Sequence, residues 1–201
     1  MTEISIVVPV HNENKNIKPF LQRTENILDK MKKSYEIIFA LDPSSDNTEK
    51  IILNKIKRNK NIRLLVFSRQ FGQPAATMAG ILNCKGAYCV IIDVDLQDPP
   101  EKIEELYKKI ISGYEVVYAK RKSRKGETFF KKIISSLGYY LINKLSDIHI
   151  PRDAGDYRII SRRVIDQLNK LNESHGFLKG MVAFVGFDQS YIEYDRDERY
   201  A

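Results

Sequence analysis

Cysteine is scarce in this chain. Cys84 and Cys89 are the only two in 201 residues, and both lie in or beside an apolar run. With no second Cys or His pair nearby they lack the ligands of a zinc site, so a buried pair of free thiols is expected. Histidine is as sparse: His11, His149 and His175 share no metal-ligand spacing and read as surface or packing residues. Long apolar runs are missing as well. No window approaches the roughly 18 uninterrupted apolar residues of a bilayer-spanning helix. Residues 1–7 enter an apolar run at once, without the basic start or cleavage site of a secretory signal, so the chain is expected to be soluble as it stands. Three common motifs are absent too. There is no Gly-x-Gly-x-x-Gly after the first apolar run, no P-loop and no Gly-x-Ser-x-Gly. These absences argue against a dinucleotide dehydrogenase, an ATPase or GTPase, and a serine hydrolase.

What is present is a chain of ordinary globular composition, long enough for one α/β domain. Its net charge of +7 is unevenly placed. Lys120, Arg121, Lys122, Arg124, Lys125, Lys131 and Lys132 face a single acid, Glu127, within residues 119–132, a local charge of +6. A patch so concentrated suggests a phosphate-bearing partner: nucleic acid, an anionic membrane surface or a diphosphate substrate. Directly after it, Phe130, Ile134, Leu137, Leu141 and Leu145 recur at steps of three and four through residues 128–148, opposite a polar and basic face. That is a basic amphipathic helix, the kind that lies on a membrane interface or docks on the protein's own core.

Elsewhere short β-branched runs alternate with segments of helical period, the pattern of a mostly parallel sheet flanked by helices. Strands are predicted at 4–10, 36–41, 63–67, 88–93 and 115–119, with later ones at 182–187 and 190–194. Helices are predicted at 16–31, from the capping-box spacing of Asp46 and Glu49 to about residue 59, and at 74–83. A fourth has Asp98 as its N-cap, Pro99 at its first position, acids in its early turns and Gly113 as its stop.

In an open α/β sheet ligands bind beyond the carboxyl ends of the strands. Four successive predicted strand ends carry polar clusters: His11 to Asn14, Asp42 to Thr48, Ser68 to Gln73, and Asp93 to Asp98. Asp93-Val94-Asp95 is the sharpest of these. Residues two apart on an extended segment point to one side, so the two carboxylates can converge on a single cation. Mg²⁺ and Mn²⁺ prefer carboxylate oxygen, and Mg²⁺ commonly takes one or two carboxylates plus substrate phosphates. The plainer reading is that the aspartates end a strand and begin a turn.

These clusters, in this order, resemble the family-2 glycosyltransferases of GT-A fold, and among them the polyprenyl-phosphate sugar transferases, the group of dolichol-phosphate mannose synthase and bacterial O-antigen glucosyl transferases. The matching stretches are IVVPVHNEN at 6–14, DPSSDNT at 42–48, FSRQFGQPAATMAG at 67–80, DVDLQDPPE at 93–101, RKSRKGETFFKK at 121–132, PRDAGDYRIISR at 151–162 and DRDERYA at 195–201. Two departures stand out. Leu41 precedes Asp42 where the family often has paired aspartates, and Pro43 stands where glycine is usual, which leaves Asp42 alone for base or ribose recognition. Members of the family also normally continue past the position of Ala201 into transmembrane helices.

The resemblance implies a single catalytic domain over residues 1–201 that moves a sugar from a nucleotide-diphosphate donor, UDP-linked or with guanosine as the alternative base, to a polyprenyl phosphate with inversion. It implies Pro9, Glu13 and Asp42 on the nucleoside, Asp93 near ribose and metal, and Asp95 on Mg²⁺ or Mn²⁺. It implies Asp156 as the catalytic carboxylate, with Asp153 next in line, and Arg121, Arg124 and Arg199 on phosphates. It places the protein at the cytoplasmic face of a membrane with an anionic surface as partner; a homo-oligomer is also considered, and no nucleic acid. The alternatives are a family-2 transferase with a glycan or protein acceptor, a catalytically silent relative, and a basic RNA-binding module.

Overall fold

The computed structural model describes residues 2–122, 154–171 and 178–201. The predicted amphipathic helix at 128–148, together with Arg124, Asp153, His149, His175 and most of the +6 segment, lies outside those residues.

Seven strands form one sheet: β1 (Ile4–Val10), β2 (Tyr35–Leu41), β3 (Ile62–Val66), β4 (Tyr88–Ile91), β5 (Val116–Arg121), β6 (Ala154–Ser161) and β7 (Gln189–Tyr194), in the order β3-β2-β1-β4-β6-β5-β7. β1 to β4 pair in parallel, β6 runs antiparallel to both β4 and β5, and β7 is parallel to β5. β6 alone runs against the rest.

The alternation of side chains along each strand divides the core in two. Ile4, Ile6, Val8 and Val10 share one face with Ile37, Phe39, Val90, Val117 and Ile159, covered by α1 (Ile17–Met31), Ile52 of α2 (Thr48–Ile56) and α4 (Ile103–Ile110). Val7, Ile38, Ile91, Val116 and Ile160 face the other way, onto α3 (Gln73–Leu82), α5 (Arg162–Leu168) and α6 (Leu178–Phe184). Strands buried on both faces need no polar alternation, which is why β1 is buried at all seven positions. The closest approach is α3 on β1. A Cβ on Gly80 would stand 2.3 Å from Val7 Cγ1, so only glycine lets the helix settle there.

Two expectations are corrected and one strand is added. The strand predicted at 182–187 is replaced by helix α6, whose buried Leu178, Met181 and Val182 have helical spacing. A short apolar run is ambiguous between the two states, and packing on β6 decided it. β6 was not predicted, because Gly155, Asp156 and Arg158 interrupt its apolar pattern. Asp98 does not cap a helix. A 3-10 turn at Pro100–Lys102 leads into α4, and the buried Asp98 carboxylate accepts the Tyr194 hydroxyl instead.

Candidate active site

The carboxyl ends of β1, β2 and β4 open into a cleft of about 250 Å³. Pro9, Glu13, Asp42, Asp93, Asp95 and Arg199 all line it, with His11, Gln73 and Ala76. Six of the predicted site residues therefore converge.

Its walls are tied together by the polar residues that make the strand ends conspicuous. Asn12, at φ 54°, accepts from the Ser45 N–H at 2.8 Å, and its own N–H donates to Ser44 Oγ at 3.0 Å. The Glu13 N–H donates to Thr48 Oγ1 at 2.8 Å and the Asn14 N–H to Asp46 Oδ2 at 3.1 Å. Much of DPSSDNT thus serves to join the β2 loop to the β1 loop. Asp42 is buried, and its two oxygens accept from the backbone N–H groups of Phe71 at 3.1 Å and Gly72 at 2.8 Å. Its carboxylate holds the turn that begins α3, where Gly72 has a φ of 86°.

On the opposite wall Gln73 Nε2 donates to Asp93 Oδ1 at 2.7 Å. Burial pushes the Asp93 carboxyl up to about 7; the charges of Asp98, Asp95 and Asp156 add to that, and Arg196 offsets part of it. Asp95 Oδ1 accepts the Gln97 N–H at 3.1 Å across a bend in which Leu96 has a φ of 62°.

Asp156 joins this group through sheet register. The last β4–β6 pair is Ile91 with Arg158; Asp93 follows Ile91 by two residues and Asp156 precedes Arg158 by two in the antiparallel β6, so Asp156 stands beside Asp93 without lining the cleft itself. Lys179 Nζ lies 3.7 Å from Asp156 Oδ1, and the buried Arg158 guanidinium 4.0 Å from the same oxygen. Arg121 ends β5, where its Nε donates to Tyr194 Oη at 3.3 Å beside Asp98; it does not line the cleft.

The C-terminal segment closes the cleft's outer side. The Asp197 N–H donates to the Gln97 carbonyl at 3.0 Å and the Tyr200 N–H to that of Asp95 at 3.3 Å. Arg199 reaches Glu13 Oε1 at 3.2 Å, and Arg23 pairs with Asp197 at 3.3 Å.

Residues 5–168 match the model of the family described as glycosyl transferase family 2. The chain belongs to this family. It is 44% identical over 199 residues to an uncharacterized glycosyltransferase, YkcC, of Bacillus subtilis, covering 99% of the present chain and 62% of that protein. It is 37% identical over 199 residues to the bactoprenol glucosyl transferase of Shigella phage SfV, covering 99% and 65%. The chain therefore spans less than two thirds of either relative. Glucosyl-3-phosphoglycerate synthase from Mycobacterium tuberculosis, solved with Mn²⁺, UDP and phosphoglyceric acid, shares the fold at a TM-score of 0.65 and 18% identity, over 100% of this chain and 71% of that one. The fold is thus the GT-A arrangement, as the motifs implied, and the RNA-binding alternative falls away.

In this family-2 chain the carboxylates suit a hard cation. No group of three or more His, Cys, Asp or Glu side chains forms a metal cluster among the described residues. Asp93 and Asp95 instead offer carboxylate oxygens in a pocket whose crowded negative charge a cation would relieve, with phosphate oxygens left to complete the shell. Several residues at the site were missed from sequence. Gln73 and Arg196 sit inside the motifs quoted above, and Arg196 stands three residues before Arg199. Lys179 carries no signal of its own: it precedes the strand predicted at 182–187, and the Leu178, Met181, Val182 spacing is too short to decide the state without packing. Asp98 was seen and given the wrong task.

Proposed function

We propose that this chain is the catalytic part of an inverting glycosyltransferase that moves a sugar from UDP to a polyprenyl phosphate at the cytoplasmic membrane face. The observation that carries the reading is the cleft itself, where Asp93 and Asp95 stand opposite Pro9, Glu13 and Asp42. The nucleoside enters between the β1 and β2 ends, against walls held rigid by the Asn12, Asp46 and Asp42 hydrogen bonds. Its diphosphate lies toward Asp95 and Arg199. Mg²⁺ or Mn²⁺ held by Asp95 and Asp93 would supply compensation for charge growing on the departing diphosphate. Arg199 adds a fixed cation on the same side, with the bidentate geometry that suits phosphate.

The acceptor lowers the demand on the protein. A phosphate monoester has its second pKa at about 6 and is largely dianionic at neutral pH. Its oxygen attacks the anomeric carbon as the bond to the UDP oxygen breaks, with no proton to remove. Asp156 then orients the reactants, and preorganised charge does most of the catalytic work. The similarity to the bactoprenol glucosyl transferase of Shigella phage SfV supports the lipid acceptor, and so does the +6 segment that begins at the end of β5.

Calorimetry tests the donor half. UDP should bind with a strong dependence on Mn²⁺, and Asp95→Ala should remove most of that dependence. Unchanged metal-dependent affinity in the variant would release Asp95 from the role of ligand.

A further inference from the structure

Asp156 differs from the other carboxylates of the site in the company it keeps. Asp93, Asp95 and Asp98 crowd together on the β4 side, and the charge of Asp156 bears on Asp93. On its other side two cations approach one oxygen, Lys179 at 3.7 Å and Arg158 at 4.0 Å from Oδ1. Neither is an ordinary surface cation: the Arg158 side chain is 3% exposed and that of Lys179 17%, while Asp156 is 50% exposed. A charge held so far from water needs a nearby counter-charge. Burial lowers the Arg158 pKa to about 10, and burial lowers that of Lys179 against the pull of Asp156.

The two cations have different tasks. Arg158 belongs to the same strand as Asp156 and donates to the backbone carbonyls of Gly155 at 2.8 Å and Asp156 at 3.4 Å. It fixes the chain beneath the carboxylate. Lys179 comes from α6, where Leu178, Met181 and Val182 are buried in the second core face, so its stem leaves a packed helix. A half-exposed carboxylate repelled by Asp93 would turn to solvent unless something outside its own strand held it.

We infer that Lys179 is a positioning residue for this reaction: its ammonium, delivered from α6, holds the Asp156 carboxylate in place beside Asp93. The inference rests on the role given to Asp156 above. Its test uses the full-length polypeptide, with UDP-glucose and a short polyprenyl phosphate as substrates. Lys179→Met should lower kcat by about tenfold or more while the donor KM changes less than about twofold, the signature of an interaction that matters only in the transition state. Lys179→Arg should recover most of the loss. In an Asp156→Asn background Lys179→Met should cost little further, because the two side chains act as one unit. An unchanged kcat in Lys179→Met overturns the inference, as does an equal loss in both backgrounds accompanied by a lower Tm. Crystal structures of wild type and Lys179→Met give a second reading that needs no turnover. The Asp156 carboxylate should stay beside the Lys179 ammonium and Asp93 in the first and turn away from Asp93 in the second. If it stays in place the inference fails, whereas a wild type that keeps this geometry yet transfers nothing to polyprenyl phosphate sinks only the functional reading.

Discussion

Asp42 shows how one side chain can serve the fold and the site together. It lines the nucleoside cleft, and both of its oxygens are committed to the N–H groups of Phe71 and Gly72. Those donors turn the chain from β3 into α3 and so fix where Gln73 stands against Asp93. Asp42→Ala would leave two backbone donors without their acceptor. Removing one partner of a buried hydrogen bond typically costs about 1–3 kcal/mol. A loss of that size in the denaturant midpoint, together with weaker UDP binding by calorimetry, is expected; full stability would show that the turn holds itself. Asp93 belongs to the same scale. Its carboxyl is raised by burial and by three other aspartates, so this corner gains most from a bound cation.

Among the elements, the central strands are joined by a single buried carboxylate. Glu36 of β2 accepts from Ser5 Oγ of β1 at 2.7 Å, from Arg63 of β3 at 2.6 Å, and from the Lys85 N–H ahead of β4 at 2.6 Å. Burial pushes its pKa up, but the hydrogen bonds from Ser5, Arg63 and Lys85 outweigh that and leave it lowered. The ionised form is therefore favoured by folding. Its contribution is complete above the ordinary glutamate range and is lost as pH falls through the lowered folded value. Glu36→Gln should lower Tm at neutral pH and flatten the fall in stability toward acid. Parallel Tm curves for wild type and variant over that range would assign the acid sensitivity elsewhere. This network sits at the amino ends of β1 and β2, away from the cleft at their carboxyl ends, so UDP affinity should hardly change.

Taken whole, the chain enters its basic segment at the carboxyl end of β5, while the cleft opens at the carboxyl ends of β1, β2 and β4. Among the described residues no helix is long and apolar enough to cross a membrane. An approach to lipid through residues 119–148 would then combine a basic segment, worth about 1 kcal/mol per residue near an anionic leaflet and screened by salt, with an apolar stripe whose burial salt does not remove. The chain should sediment with vesicles containing anionic lipid, less so as salt rises but still in part at high salt. Leu137→Glu should abolish the salt-resistant part with the circular dichroism spectrum intact. A variant that unfolds places the stripe in the core, and a wild type that ignores vesicles at low salt leaves lipid contact to other parts of the full-length protein.

Local chemistry was enough to read β1, β2, β4 and the helices between them, because uninterrupted apolar runs and helical spacing are properties of short segments. It also brought Asp93, Asp95, Glu13 and Asp42 to one cleft, since in a parallel sheet the residues after each strand meet at one edge. Three things depended on tertiary contact. β6 exists because β4 and β5 each leave a ladder for it, and no pattern in Asp156-Tyr157-Arg158 announces that pairing. α6 is a helix because Leu178, Met181 and Val182 find the second core face. Asp98 left its predicted cap because Tyr194, 96 residues away, brings a hydroxyl to it. A lone carboxylate satisfies its hydrogen bonds wherever donors stand, and only the folded chain decides which donors those are.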